Sequence, residues 1–157
     1  MDTVKEILFG RYRLEELIDV FSFLSAEERK ELFTYLDLRE WQPGELVLES
    51  GEPANFMGFL VEGKLSVRMA AIFPGKFILL AVLERGSLIG EVSVVEEGCR
   101  HATVVATEKS SLLILTRGNM DLLLRQTPAL GLKLLRRIIH VLGHRLSKAS
   151  DRLARLL

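Results

Sequence analysis

The chain has 157 residues, of which 48% are hydrophobic and 27% charged, which suits one domain with a sizeable core and excludes a disordered chain. The 21 basic and 21 acidic residues balance, and no apolar run has the length of a membrane span. Because the N-terminus lacks the apolar stretch of a secretory signal and Cys99 has no second cysteine to pair with, we predict a cytoplasmic location.

The first 36 residues carry the signals of helices. Apolar residues at helix-like spacing predict a helical segment over residues 4–21, with Gly10 as an interruption. Ser25 followed three residues later by Glu28 forms a capping box, in which each side chain binds the backbone N–H of the other residue. We therefore predict N-terminal helices over residues 1–36, the second one running from Ser25 to about Leu36.

Between residues 37 and 116 the pattern changes to short segments rich in β-branched and aromatic residues. Turn signals separate them, among them Pro43-Gly44, Gly63 and Pro74-Gly75. Many short strands at this spacing indicate an antiparallel sandwich or barrel. The predicted strand segments are LREW, ELVLE, FMGFLVEG, KLSVRMAAI, KFILLAVLE, HATVVAT and SLLILT.

Helix signals return over residues 117–157. Thr116 can cap a helix that runs to Gln126, and Pro128 suits the first position of the last helix. Along that helix, apolar residues alternate steps of four and three, which is the seam of a coiled coil. We therefore predict a homodimer, the alternative being a monomer whose last helix folds back on the barrel or frays. The seam consists of Leu135, Ile139, Leu142, Leu146, Ala149, Leu153 and Leu156.

The charge of the chain is concentrated near its end. From Lys133 to Leu157 there are seven basic residues and one acid, a net charge of +6 that the rest of the chain balances. Such a segment can bind nucleic acid or an acidic partner, or it can be the solvated face of a helix.

The stretch from Gly90 to Val104, GEVSVVEEGCRHATV, combines a carboxylate and a guanidinium around one short helical turn. The free N–H groups at the start of a helix attract an anion, and the planar guanidinium of Arg100 suits a phosphate. Glu91 instead needs a hydrogen-bond donor, such as a sugar hydroxyl. The pattern predicts a small ligand that carries a phosphate at one end and a ribose at the other.

These residues resemble the phosphate-binding cassette of the cyclic nucleotide-binding domains found in catabolite-activator/FNR-type regulators, kinase regulatory subunits and nucleotide-gated channels. In the family, the cassette begins with Gly-Glu and ends with Arg, a small residue and Ala. It corresponds to residues 90–102 of this chain. Other motifs of the family are present as FLSAEERKEL, QPGELVLESGEPA, GFLVEGKLSV and LERGSLIGE, so the resemblance covers about residues 22–157. It implies a mainly β fold with flanking helices: an antiparallel jelly-roll β-barrel with N-terminal helices and a long C-terminal helix.

The resemblance also implies roles for individual residues. Glu91 would accept a hydrogen bond from the ribose 2′-OH of cAMP or cGMP, Arg100 would hold the cyclic phosphate, and backbone N–H groups near Val92 and Ser93 would complete the site. His101 stands where the family has a small residue, and its imidazole either donates to the phosphate or crowds the pocket. Arg145, Ser147 and Ser150 could reach the base. The predicted ligand-binding residues are Gly90, Glu91, Val92, Ser93, Arg100, His101 and Ala102.

Other function classes find less support in the residues. No Ser-His-acid arrangement, Walker loop or dinucleotide glycine pattern supports an enzyme, and with only His101 in the strand region no metal site can be assembled there. Sequence-specific DNA binding by this chain alone is not expected, because no recognition helix follows the last predicted helix. Two hypotheses remain: a regulatory cyclic nucleotide sensor, and a ligand-free module in which Glu91 and Arg100 pair with each other and the helices bind a downstream protein.

Overall fold

The computed structural model describes residues 7–157 and consists of two four-stranded antiparallel sheets flanked by helices. The strands are β1 Ile7–Leu8, β2 Tyr12–Arg13, β3 Asp37–Trp41, β4 Leu46–Leu48, β5 Phe56–Glu62, β6 Leu65–Ala70, β7 Phe77–Leu83, β8 Leu88–Ile89, β9 Thr103–Ala106 and β10 Ser110–Thr116. The helices are α1 Ala26–Phe33, α2 Arg117–Gln126 and α3 Pro128–Leu156, with single 3₁₀ turns at Leu14–Leu17 and Glu91–Val94. Within the described range, no helix has both the length and the hydropathy that crossing a membrane requires.

The helix predicted over residues 4–21 is wrong for residues 7–13, and residues 4–6 lie outside the described part of the chain. Strands β1 and β2 pair antiparallel instead, and only the 3₁₀ turn at Leu14–Leu17 is helical. The reason lies in the turn, where Phe9 and Gly10 both have left-handed backbone angles, with φ of 56° and 68°. Two such residues make a tight hairpin turn, which no right-handed helix can include.

Helix α1 begins as predicted. The Glu28 N–H donates to Ser25 Oγ at 3.2 Å, and the Ser25 N–H donates to the Glu28 carboxylate at 2.9 Å. Lys133 of α3 donates to the same carboxylate at 2.7 Å, and this contact, ahead of the Ser25 backbone bond, lowers the pKa of Glu28 to about 2. The capping box therefore also connects α1 to α3.

The two sheets face each other and enclose an apolar core. Their strand orders are β3-β10-β5-β8 and β4-β9-β6-β7, and hydrogen bonds between the sheets do not close the barrel. Strand β8, which the sequence pattern did not predict, is a two-residue edge strand beside β5. The residues buried between the sheets are Val47, Leu48, Leu60, Leu65, Ile89, Val104, Ala106, Leu112 and Ile114.

A second apolar core lies between the outer face of the β3-β10-β5-β8 sheet and the helices. Side chains alternate across a strand, so Met57, Phe59 and Val61 of β5 face the helices while Leu60 faces the other sheet. The ring of Phe21 lies 4.8 Å from the ring of Phe59, centroid to centroid. Helices therefore pack on one side of a two-sheet roll, which confirms the predicted jelly-roll class with flanking helices.

Helix α3 is 29 residues long and changes its surroundings along its length. Thr116 caps α2 by accepting from the Asn119 N–H at 3.1 Å, and Pro128 is the first residue of α3, both as predicted. Leu134 and Ile138 are buried in the second core, and Leu135 and Leu142 pack partly against it. The other large residues of the predicted seam, Ile139, Leu146, Leu153 and Leu156, are 61–83% exposed.

Candidate functional site

A cavity of about 480 Å³ lies between the cassette, the β4-β9-β6-β7 sheet and the second half of α3. All seven residues predicted to bind a ligand line it, namely Gly90, Glu91, Val92, Ser93, Arg100, His101 and Ala102. Most of the remaining wall is apolar, with Leu48, Val67, Leu83 and Val104 from the strands. A shaped apolar cavity with a few polar groups at one end is the usual form of a small-molecule site.

Gly90 allows the cassette to turn sharply into the cavity. Its backbone is left-handed, with φ 61° and ψ 26°, and it directly precedes the 3₁₀ turn at Glu91–Val94. A Cβ atom at this position would collide with Arg100 Nη1 and lie 3.0 Å from the carbonyl oxygen of Phe56. A side chain here would strain the backbone and displace the guanidinium of Arg100.

Arg100 is a buried cation, 7% exposed, that lines the cavity. Its Nη2 donates to the Phe56 carbonyl oxygen at 2.8 Å, and its Cζ lies 4.6 Å from the centroid of the Phe56 ring. Burial lowers the pKa of the guanidinium, the nearby charge of Arg117 lowers it further, and Glu91 acts in the opposite direction. Among residues 7–157 no carboxylate forms an ion pair with Arg100, so an anion in the cavity would meet a cation whose charge is not neutralised by direct contact.

Glu91 has a different partner. Its side chain is 7% exposed and forms an ion pair with Arg145 Nη1 of α3. Arg145 also donates through Nη2 to the carbonyl oxygen of Leu88 at 2.5 Å. The carboxylate therefore pairs with Arg145 rather than with Arg100, and this pair connects the cassette directly to α3.

Of the other predicted residues, Ser93 is buried, whereas Val92 and His101 are exposed. Ser93 is buried, with its Oγ 2.6 Å from the carbonyl oxygens of both Phe56 and Gly90, and its N–H donates to Gly90 at 3.1 Å. This backbone donor, predicted for phosphate, is thus already used inside the cassette. Val92 and His101 line the cavity but are exposed.

Helix α3 supplies a basic wall, of which only Arg145 was predicted, as a residue that could reach the base; Ser147 and Ser150, predicted with it, do not line the cavity. The α3 residues lining the cavity are Arg145, Lys148, Ala149 and Arg152. Arg152 Nη1 donates to the carbonyl oxygen of Leu80 at 3.0 Å, so α3 lies against strand β7. The only signal for Lys148 and Arg152 was the basic charge near the end of the chain. Because they are about 50 residues from the cassette, only the fold shows that they share its cavity.

Arg117 connects the cassette to α2. As the first residue of that helix it donates from Nε to the Ser93 carbonyl oxygen at 2.8 Å and from Nη2 to the Ala54 carbonyl oxygen. It also lies 3.5 Å from a carboxylate oxygen of Glu97. The cassette therefore contacts both C-terminal helices through arginines: α2 through Arg117 and α3 through Arg145.

The chain is similar in sequence to known proteins. A cAMP-dependent protein kinase regulatory subunit of Mycosarcoma maydis is 33% identical over 115 residues, and a cyclic AMP receptor protein of Thermus thermophilus is 30% identical over 109 residues. These matches cover 71% and 69% of this chain, but only 21% and 50% of the two relatives.

Solved structures show the same fold. The crystal structure of a cyclic nucleotide-binding domain from Methylobacillus flagellatus KT matches with a TM-score of 0.84 at 24% identity, over 91% of this chain and 83% of that one. The Thermus thermophilus catabolite activator protein matches with a TM-score of 0.74 at 29% identity, over 87% of this chain and 62% of that one. The family model described as cyclic nucleotide-binding domain matches residues 38–127, which include the whole cassette and both sheets except for Asp37. The chain belongs to the cyclic nucleotide-binding domain family.

Proposed function

We propose that this domain is a sensor that binds a cyclic nucleotide, cAMP or cGMP, in the cavity beside the cassette. The observation that carries the proposal is Arg100, a buried cation that faces the cavity without a carboxylate partner among the described residues. A cyclic phosphate placed against its free N–H groups supplies the missing anion. The ribose then lies toward Glu91 at the other end of the same turn.

The ligand signal passes through the Glu91–Arg145 ion pair. A ribose hydroxyl that donates to Glu91 competes with Arg145 for the same carboxylate oxygens. Loss or rearrangement of this pair changes the position of α3 relative to the cassette, and the contact of Arg117 with Ser93 extends the change to α2. A ligand shifts such an equilibrium only by the difference in its affinity for the two arrangements.

The proposed sensor acts as a homodimer in which the two α3 helices pair. Leu132, Ile139, Leu146 and Leu153 are 50–69% exposed and recur every seven residues, which places them along one side of the helix. Leu156 extends the exposed surface, Ala149 turns to the cavity, and Leu135 and Leu142 are shared with the domain's own core. Pairing of two such stripes removes this apolar surface from water.

Replacing Leu146 with aspartate should convert the dimer to a monomer, because the charge would lie at the centre of an apolar helix interface. Sedimentation equilibrium at micromolar concentration measures the mass. Ile7→Asp is the matched control, since Ile7 is 64% exposed and lies far from α3 in sequence. An unchanged dimer mass for Leu146→Asp, or a monomeric wild type, would exclude the stripe as the interface.

Nucleotide binding is tested by thermal unfolding with cAMP, cGMP and a cyclic dinucleotide. A ligand present at a hundred times its dissociation constant stabilises the folded state by about 2.7 kcal/mol. For a domain of this size that raises Tm by about 5–11 °C. We expect such a shift with cAMP or cGMP and none with 5′-AMP or 5′-GMP, which carry no cyclic phosphate.

A ligand-free protein–protein module is the second candidate, and the Glu91–Arg145 pair is the observation in its favour. The pair already neutralises the carboxylate of Glu91 without a nucleotide. In this case no nucleotide changes Tm, while the α3 dimer persists. For either function, we propose a regulatory, non-catalytic protein located in the cytoplasm. We further propose that residues 7–157 do not bind DNA sequence-specifically and that the protein acts on a downstream protein.

A further inference from the structure

The hairpin formed by β6 and β7 exposes an unusual amount of apolar surface. At its turn, Ile72 is 98% exposed and Phe73 is 71% exposed. In the adjoining part of β7, Phe77, Ile78 and Leu79 are each more than half exposed. Contiguous apolar surface of this kind marks a site of contact with a protein or a membrane. We call residues 69–79 the hairpin tip.

The hairpin tip is apolar on both faces. Arg68 pairs with Leu79, Met69 with Ile78 and Ala70 with Phe77, and successive residues of a strand point to opposite faces. Phe77 and Leu79 therefore lie on one face and Ile78 on the other. A protein partner with a flat surface covers one face of a two-stranded ribbon, whereas a lipid layer surrounds both.

The charges of the hairpin are of one sign. Between Leu65 and Leu83 there is no acidic residue, and the two charged residues are Arg68 and Lys76. The Cζ of Arg68 lies 4.6 Å from the centroid of the Phe77 ring, and Lys76 is exposed beside the turn. At the base of the hairpin, Lys64 is neutralised by Glu84 at 3.7 Å. Two cations beside an apolar tip complement the negative surface of a bilayer that contains anionic lipids.

Two backbone hydrogen bonds close the turn of the hairpin tip. The Ala71 N–H donates to the Lys76 carbonyl oxygen at 2.9 Å, and the Lys76 N–H donates to the Phe73 carbonyl oxygen at 3.3 Å. From Ala70 to the turn the chain advances about 7–10 Å at the rise of a strand. This length matches the depth, about 5–10 Å, to which interfacial elements enter the headgroup region.

We propose that the hairpin tip docks on the surface of an anionic lipid bilayer, with Ile72 and Phe73 inserted below the headgroups and Lys76 held at the phosphates. The docking is peripheral and reversible, because a few apolar side chains and two cations supply it. It is independent of nucleotide binding, since no residue of the tip lines the cassette cavity. The surface would place the domain at a membrane without any segment that crosses it.

The test is co-sedimentation of the full chain with vesicles of phosphatidylcholine alone or with about one third phosphatidylglycerol, the latter to provide negative surface charge. The wild type should bind the anionic vesicles, and less of it should bind as the salt concentration rises. Ile72→Ser/Phe73→Ser should reduce the partition coefficient at least about tenfold, which corresponds to about 1.4 kcal/mol. Lys76→Glu should reduce it several-fold.

Two matched variants control for the chemistry of these substitutions. Ile7→Ser removes an exposed isoleucine elsewhere, and Arg125→Glu makes the same charge change on an exposed residue of α2. Both should bind vesicles like the wild type, and thermal unfolding shows whether each variant is folded. The proposal is overturned if the wild type stays in the supernatant with both vesicle types, or if the double variant binds as well as the wild type. If the wild type does not bind vesicles and the double variant sediments as a monomer while the wild type is a dimer, the hairpin tip contacts a second copy of the chain instead of a membrane.

Discussion

Replacing Arg100 with alanine is expected to weaken cyclic nucleotide binding by about 2–5 kcal/mol, which is tens- to thousands-fold. The cyclic phosphate would then lie in the cavity without the buried cation that contacts it. Titration calorimetry with the nucleotide that raises Tm most measures the loss. Arg100→Lys should recover only part of it, because an ammonium cannot form the paired hydrogen bonds of a guanidinium.

A matched control separates this effect from a general loss of positive charge. Arg125 lies on the exposed side of α2, outside the cavity, so Arg125→Ala should bind nucleotide like the wild type. Equal affinity of Arg100→Ala and the wild type would remove Arg100 from the site. If the nucleotide still raised Tm in that case, the ligand would be held by the other cations of the cavity wall.

Replacing Arg145 with alanine is expected to destabilise the ligand-free domain by about 1–3 kcal/mol. Its loss leaves the buried carboxylate of Glu91 without its counter-ion. The expected cost is below that of a fully buried pair, because the side chain of Arg145 is 38% exposed and water can enter the cavity. Thermal unfolding should show Tm lowered by about 2–12 °C.

Replacing Glu91 and replacing Arg145 should destabilise the domain by different amounts. Glu91→Gln leaves Arg145 unpaired, but this side chain is more exposed and can turn toward water, so the variant should lose less stability than Arg145→Ala. The double variant Glu91→Gln/Arg145→Ala should recover much of the loss, since no unpaired charge stays buried. Full stability of Arg145→Ala alone would show that the pair does not hold α3 to the cassette.

The fold was predictable because its signals are local. Period-two segments between glycine and proline turns identified seven of the strands, and the caps Ser25 and Thr116 fixed the starts of two helices. The first segment failed because its apolar spacing fits both a helix and a packed hairpin. The left-handed turn at Phe9 and Gly10 decided between them, and the left-handed backbone of Phe9 is not apparent from the residue type.

The site was predictable only in part, for a similar reason. The cassette is contiguous in sequence, so Glu91 and Arg100 could be recognised together, and the structure brings both to one cavity. Arg145 is 54 residues from Glu91, so the sequence indicated it only as a residue that could reach the base and did not predict its ion pair with Glu91. Leu134 and Ile138 widen the apolar face of the first half of α3 and are buried, but no local pattern places the second half of the helix over the cavity.

Helix α3 has its buried anchor, its contact with the cassette and its free end at different distances along one axis. From Ile138 in the core, Arg145 is about 10 Å away along the helix and Leu156 about 27 Å. If α3 pivots as a rigid body about Ile138, the sideways displacement at Leu156 is therefore about 2.6 times the displacement at Arg145. A 1 Å sideways step at Arg145 becomes a swing of about 2.6 Å at Leu156, enough to alter how two adjoining helices mesh.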